Sequence, residues 1–317
     1  MRLFITLMSL LLLIGGCTSN RNQEENPVLH VIHAGSLSLP VKKIVDAYQQ
    51  QHPGTEILTE AWGSKAGARR IMEINTPADV FLSADYQVIN QMLIPDHASW
   101  YLPFASNEMA IVYSHDSRYA SEINQQNWHQ ILLRQDVNIG RSNPDHDPCG
   151  IRAVLTCKLA AIFYEQEQLD RQLLTKDLDN IRPKETDLIA LLENGHLDYI
   201  FLYRSVAQQH NLPYLQLPAE LNLADPSLHE WYAQVQAATL GAHPQDTIVE
   251  TGQPMIYGAT IPHKSKHPEL AASFIAFLLS DKGIAIMESM GQPAVPLRPN
   301  PYYRQLPDLL KPFALEQ

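Results

Sequence analysis

Apolar positions along this chain alternate between two rhythms from residue 28 onward. Residues 28–34 (VLHVIHA) form a short β-rich run. In 39–54, Leu39, Val41, Ile44, Val45 and Tyr48 recur at helical spacing, and Pro53-Gly54 stops the helix. The same alternation continues with a strand over 55–62, a helix over 65–75, a buried strand over 78–84 (ADVFLSA) and a helix over 85–95. Strand, helix, strand, helix in this order predicts a parallel sheet with right-handed crossovers. A further strand, EMAIVYS, follows at 108–114. A second unit then repeats the scheme. It has a strand at 137–142, a long helix at 148–167, a helix at 185–195 capped by Gly195, and strands at 198–205 and 212–218. A helix over 228–238, a strand over 254–262 and two helices over 268–280 and 281–290 complete the pattern. Six prolines after Gly291 make the tail extended.

These elements are too many for one comfortable core. The reading is therefore two α/β lobes, with the ligand cleft between them at the carboxyl ends of strands. Lobe 1 comprises 28–113 and 253–317, and lobe 2 comprises 114–252. The first residues stand apart. Arg2 is followed by an apolar run to Gly16, which is too short and too abruptly ended for a membrane span. Residues 1–16 thus read as an export signal. Cys17 directly after Gly15-Gly16 resembles a bacterial lipobox, which implies lipid on Cys17 and a polar tether over 17–27.

The net charge is −11, and no long basic run exists, so nucleic acid is not an expected partner. An acidic protein of this kind can hold an anion only through local donors. The remaining cysteines, Cys149 and Cys157, fall eight apart on the predicted long helix. That spacing is about 12 Å along the axis, beyond a disulfide's Cα reach of about 7 Å, so neither a disulfide nor a metal site is expected from them.

Candidate chemistry clusters where strands run into helices. In HAGSLSLP (33–40), Gly35 lets a ligand approach the backbone, and Ser36 and Ser38 offer hydroxyls beside the free N–H groups of a helix start. Plain N-capping by Ser36 or Ser38 explains the same residues. WGSKAGARR (62–70) repeats the arrangement with Gly63 and Ser64. Asp85 reads as a helix N-cap. Asp147 reads likewise before Pro148, and Glu185-Thr186 as helix-opening polar residues. Tyr203 and Arg204 leave a buried strand where the cleft would lie. Other chemistries fit less well. Nucleophile-elbow, phosphate-loop and zinc-protease motifs are missing. His33, His146 and His210 lack paired ligand spacing. Asp145 and Asp147 lack the glycine and terminal glutamate of a calcium loop, and Glu250 and Glu288 show no partner. No activated nucleophile is visible, so no enzymatic activity is expected; an enzyme using Tyr203 and Asp147 as acid and base is the alternative on this fold.

Taken together, HAGSLS, GSKAGARRI, ADVFLSADYQVI and WYLPFASNEMAIVYS resemble the molybdate/tungstate-binding proteins of ABC importers, most closely the branch widespread in archaea. SNPDHDPCGIR, the 185–218 stretch, YGATIP and GQPAVP continue the resemblance in order, so it spans nearly the whole mature chain. It implies a periplasmic-binding-protein fold of type II, in which two lobes close on the solute. It also implies a six-coordinate oxyanion, with Asp147 and Glu185 as carboxylate ligands to molybdenum or tungsten and Ser36, Ser64 and Tyr203 around the oxo groups. No separate cofactor is implied. The expected partners are the anion, an ABC permease and, through Cys17, the membrane; a monomer outside the cytoplasm is expected. One departure is a shorter segment between Tyr164 and Glu185, which could displace Glu185. The competing readings are a binding protein for sulfate, phosphate or another solute, and a surface lipoprotein that contacts other proteins.

Overall fold

The computed structural model describes residues 27–73, 77–241 and 246–317. The signal segment, nearly all of the tether and Cys17 lie outside them. Two five-stranded sheets organise the chain. The first contains β1 (Val28–Ala34), β2 (Glu56–Trp62), β3 (Val80–Ser83), β4 (Leu102–Ser106) and β12 (Ile256–Thr260), in the order β2-β1-β3-β12-β4. The second contains β5 (Met109–Tyr113), β6 (Ile139–Ser142), β7 (Ile181–Arg182), β8 (Tyr199–Tyr203) and β9 (Tyr214–Gln216), in the order β7-β6-β8-β5-β9. β10 (Gln236–Leu240) and β11 (Thr247–Thr251) form a separate antiparallel pair.

Both sheets are built alike. β1 runs parallel to β2 and β3, and β6 runs parallel to β7 and β8. Each sheet then holds one reversed strand between two others: β12 is antiparallel to β3 and β4, and β5 to β8 and β9. The reversed strand in each case is the one entered as the chain changes lobe. β4 passes directly through Asn107 and Glu108 into β5, and the β10–β11 pair leads through Gly252 into β12.

This topology corrects the first lobe boundary. The run at 108–114 joins the second sheet, so the chain crosses at 107–108 rather than near 113. Hydrophobic pattern finds a strand but not its sheet, and the pairing of β5 with β8 is a long-range contact. The helix expected over 228–238 is also corrected. Only His229–Tyr232 is α-helical, after a 3-10 turn over Pro226–Leu228, and Gln236–Leu240 is β10, whose alternating burial has the two-residue period of a strand with one wet face. The helix expected over 85–95 is a short α turn, Tyr86–Val88, that widens into a π-helical turn over Ile89–Leu93.

The pattern gave no sign of β4, β7, β11 or the helices Trp128–Leu132, Leu169–Thr175 and Arg204–Gln209, while other expected elements form. Helix Ser38–Gln51 buries Val41, Ile44, Val45 and Tyr48 against the first sheet. Helix Pro148–Phe163 has Pro148 in its first turn, where the missing N–H costs nothing, and it buries Ile151, Leu155 and Leu159. Cys149 and Cys157 are both buried on it as free thiols.

Candidate functional site

The carboxyl ends of the parallel strands from both sheets meet. β1 ends in a tight 3-10 turn, Gly35–Leu37, that buries Ser36. Neither serine caps the following helix, whose start has no side-chain cap, and Ser38 turns its hydroxyl back to the Gly35 carbonyl at 2.7 Å. β2 ends at Gly63, and Ser64 opens the next helix fully buried. From the second sheet, β6 leads to Asp147, β7 to Glu185, and Tyr203 is the last residue of β8. All five side chains predicted from the sequence are buried, none more than 1% exposed.

Asp147 caps helix Pro148–Phe163 by accepting from the Cys149 amide at 3.2 Å, and its other oxygen accepts from the Glu185 amide at 2.8 Å. The loop holding Glu185 is thereby fixed to the helix start. Glu185 lies two residues before helix Asp187–Glu193, not in its first turn. The short connection from Tyr164, through helix Leu169–Thr175 and β7, still delivers Glu185 to Asp147.

Glycine backbone closes the other side. A Cβ on Gly35 would stand 3.1 Å from Glu185 Oε1, and one on Gly63 would stand 2.5 Å from the His146 carbonyl oxygen and 3.2 Å from Asp147 Cβ. The two lobes are therefore in van der Waals contact at this point; a side chain at Gly63 would strike backbone, and one at Gly35 would press on the Glu185 carboxyl.

The group is polar yet incompletely paired. Both carboxyl oxygens of Glu185 and the Tyr203 hydroxyl are buried with no hydrogen-bond partner. Native interiors seldom leave such atoms unpaired without a functional cause. Burial, reinforced by the negative charge of Asp147, pushes the Glu185 carboxyl well above the usual carboxylate range. Burial likewise raises the Tyr203 phenol. The two serines are set up as donors. The Ala84 amide donates to Ser64 Oγ at 2.9 Å, and Tyr257 donates to Ser36 Oγ at 3.2 Å. A small anion in contact with these groups would meet hydroxyl donors and two acids together.

Sequence reasoning missed the residues that join the lobes around this group. Asp85 caps its turn as expected, accepting from the Gln87 amide, but its second oxygen takes the Arg152 guanidinium at 2.8 Å. That pair is 3–4% exposed and links the first lobe to the long helix of the second. Lys65, also buried, pairs with Glu250 on β11 and bonds Thr239 on β10. Arg69 donates to the Asp145 carbonyl at 2.8 Å and to the Gly241 carbonyl at 3.0 Å. The available signal was a basic pair at helical spacing, Lys65 and Arg69, on one face of a buried helix. A groove of about 700 Å3 on the first lobe, lined by Trp100, Pro262, His263, Glu269 and Leu309 among others, shares no residue with the acid pair.

Known proteins resemble this arrangement throughout the chain. The family described as bacterial extracellular solute-binding protein matches residues 29–292. A solute-binding protein from Petrotoga mobilis is 47% identical over 266 residues, covering 84% of this chain and 83% of its own. The molybdate/tungstate-binding protein WtpA of Thermococcus kodakarensis is 38% identical over 301 residues, covering 84% of each chain. Among solved structures, the periplasmic molybdate-binding protein of Azotobacter vinelandii superposes with a TM-score of 0.61 at 16% identity, covering 84% of this chain and 99% of that one. The sulfate-binding protein SubI of Mycobacterium tuberculosis superposes with 0.59 at 13% identity, covering 92% of each. The two structures share the two-lobed fold while differing in the anion named, so fold alone does not select the ligand. With donors and acids gathered where two α/β lobes meet, and with the match running over almost all described residues, this chain belongs to the bacterial extracellular solute-binding proteins.

Proposed function

We propose that this protein captures molybdate or tungstate outside the cytoplasm and delivers it to the permease of an ABC importer. Lipid on Cys17 would hold it at the membrane, and it would work as a monomer without a further cofactor. The observation that carries the ligand is the buried acid pair. Asp147 and Glu185 share one hydrogen-bonded loop, and Glu185 has two unpaired oxygens facing the glycine turn beside Ser36.

Two acids in an anion site need a chemical reason. Beside sulfate, carboxylates would only repel, and strongly so away from water; phosphate could offer them its one proton, but neither ion gains a bond to its central atom. Sulfur and phosphorus in those ions take no additional oxygen ligands. Molybdenum(VI) and tungsten(VI) are larger and electron-poor, and hard carboxylate oxygens suit them. Asp147 and Glu185 would complete the metal's coordination, while Ser36, Ser64 and Tyr203 would donate to its oxo groups. The same carboxylates would turn away the abundant tetrahedral competitors. The relative from Thermococcus kodakarensis, named for molybdate and tungstate, supports this reading at 38% identity.

The test is a thermal-shift and calorimetric screen of the mature protein against molybdate, tungstate, sulfate, phosphate and chromate. Molybdate and tungstate should stabilise the protein, and sulfate and phosphate should not at equal concentration. Preferential stabilisation by sulfate or phosphate would reject the acid-pair reading in favour of another oxyanion.

A further inference from the structure

Behind Ser36 lies a chain of hydrogen bonds whose direction is fixed by the backbone. Asn107, at the crossing between the lobes, is 4% exposed. Its side-chain oxygen accepts from the Glu108 amide at 2.9 Å and faces the Ser205 amide at 3.4 Å. Backbone amides can only donate, so the Asn107 oxygen must point at them and its Nδ2 must point the other way. Nδ2 donates to the Ser205 hydroxyl at 2.6 Å and to the Tyr257 hydroxyl at 2.7 Å. Tyr257 is buried on β12 and has one proton to give. It receives from Asn107, so it gives that proton to Ser36 Oγ at 3.2 Å. Ser36 then accepts on the protein side and keeps its own proton free. Its backbone is held too, because Gln292 Nε2 donates to the Ser36 carbonyl at 3.1 Å. Ser64 reaches the same condition by a shorter route, accepting directly from the Ala84 amide.

We propose that Asn107 and Tyr257 are positioning residues that free the Ser36 proton for the bound anion, so that Ser36 meets it as a donor. The inference deepens the oxyanion reading above and rests on it. A hydroxyl free to rotate divides its proton between the protein and the anion. Ser36 accepts from Tyr257 on the protein side, so its proton has no partner there and is turned toward the anion, where an unprotonated oxo group accepts it.

The directional logic predicts a reversal. Asn107→Asp puts an acceptor where Nδ2 stood. Tyr257 would then donate to it, would accept from Ser36, and would draw the serine proton away from the anion. Calorimetry with molybdate should show binding about tenfold weaker in Tyr257→Phe and about a hundredfold weaker in Asn107→Asp. The double variant should bind more tightly than Asn107→Asp, because phenylalanine has no hydroxyl to pass the reversal on and only the repulsion of the added charge remains. A double variant that binds as weakly as Asn107→Asp, or more weakly, overturns the proposal, because simple structural damage would add. Should Asn107→Asp not fold, Ser36→Ala decides. The double variant Ser36→Ala/Tyr257→Phe should bind molybdate as Ser36→Ala alone does, because Tyr257 acts through the serine, and losses that add overturn the proposal. Failure of the parent protein to bind any oxyanion rejects the underlying reading as well, whereas parent binding without recovery in the double variant rejects the directional proposal alone.

Discussion

Two acids held together away from water oppose folding unless something binds them, and Asp147 and Glu185 are so held. Asp147 has its oxygens occupied by the amides of Cys149 and Glu185, which serves both helix start and loop. Glu185 has no such compensation. Its burial and neighbour make it a stability burden in the free protein, as functional groups often are. Glu185→Gln keeps the shape and removes the ionisable group. The free variant should melt higher by about 2 °C, the response to roughly 1 kcal/mol in a chain of this size. Its affinity for molybdate should fall about a hundredfold or more, the scale for losing one partner of a buried charged contact. Differential scanning calorimetry and titration calorimetry read the two effects separately. A variant that binds as tightly as the parent removes Glu185 from the ligand set. Asp147→Ala should also weaken molybdate binding, with the extra cost of uncapping its helix, about 1 kcal/mol.

At the scale of elements, the site depends on how closely two helix starts approach. Helix Ser64–Met72 of the first lobe abuts the loop before helix Pro148–Phe163, and the Ala66 amide donates to the His146 carbonyl at 3.2 Å. Gly63 has an ordinary backbone conformation, φ −59° and ψ 135°. What excludes a side chain there is space, since a Cβ would stand 2.5 Å from that same carbonyl. Gly63→Ala should therefore act on the approach of the lobes rather than on the fold of either one. Overpacking of this kind costs about 1–3 kcal/mol, so molybdate affinity should fall by roughly ten- to a hundredfold. The melting temperature of the free protein should change little. Unaltered affinity in titration calorimetry would mean that the two elements need not approach this closely in the complex.

Across the whole molecule, the lobes are joined by two crossing segments and by polar side-chain contacts. Arg152–Asp85, Lys65–Glu250 and the Arg69 bonds to the Asp145 and Gly241 carbonyls all span from the first lobe to the second lobe or its β10–β11 arm. The chain itself crosses at Asn107–Glu108 and after Gly252. Two crossing segments together with breakable polar contacts suit hinge motion about the bound solute. Small-angle scattering should show a larger radius of gyration without ligand than with saturating molybdate. Scattering curves that superimpose would argue against a hinge.

Much of this was written in the order of residues. Strand–helix alternation, the Gly-Ser turns after β1 and β2, the cap at Asp147 and the two-lobe division all follow from local periodicity and turn chemistry, which neighbouring residues set among themselves. Ser36, Ser64, Asp147, Glu185 and Tyr203 stood out locally as residues that end a strand or precede a helix, and the family resemblance marked them as a ligand set. Local pattern could not decide pairings made across long loops. The membership of β5 in the second sheet rests on Tyr199–Tyr203, the β10 strand needs its partner Thr247–Thr251, and Lys65 finds Glu250 far along the chain. Nor could it tell that Glu185 would be buried with both oxygens unpaired, or that Asn107 and Tyr257 would stand behind Ser36. The sequence by itself thus determined which elements form and which polar residues lie at their ends, because those depend on near neighbours. Only the tertiary structure decided which of those ends meet and which hydrogen bonds remain unmade, because burial and pairing are properties of the packed whole.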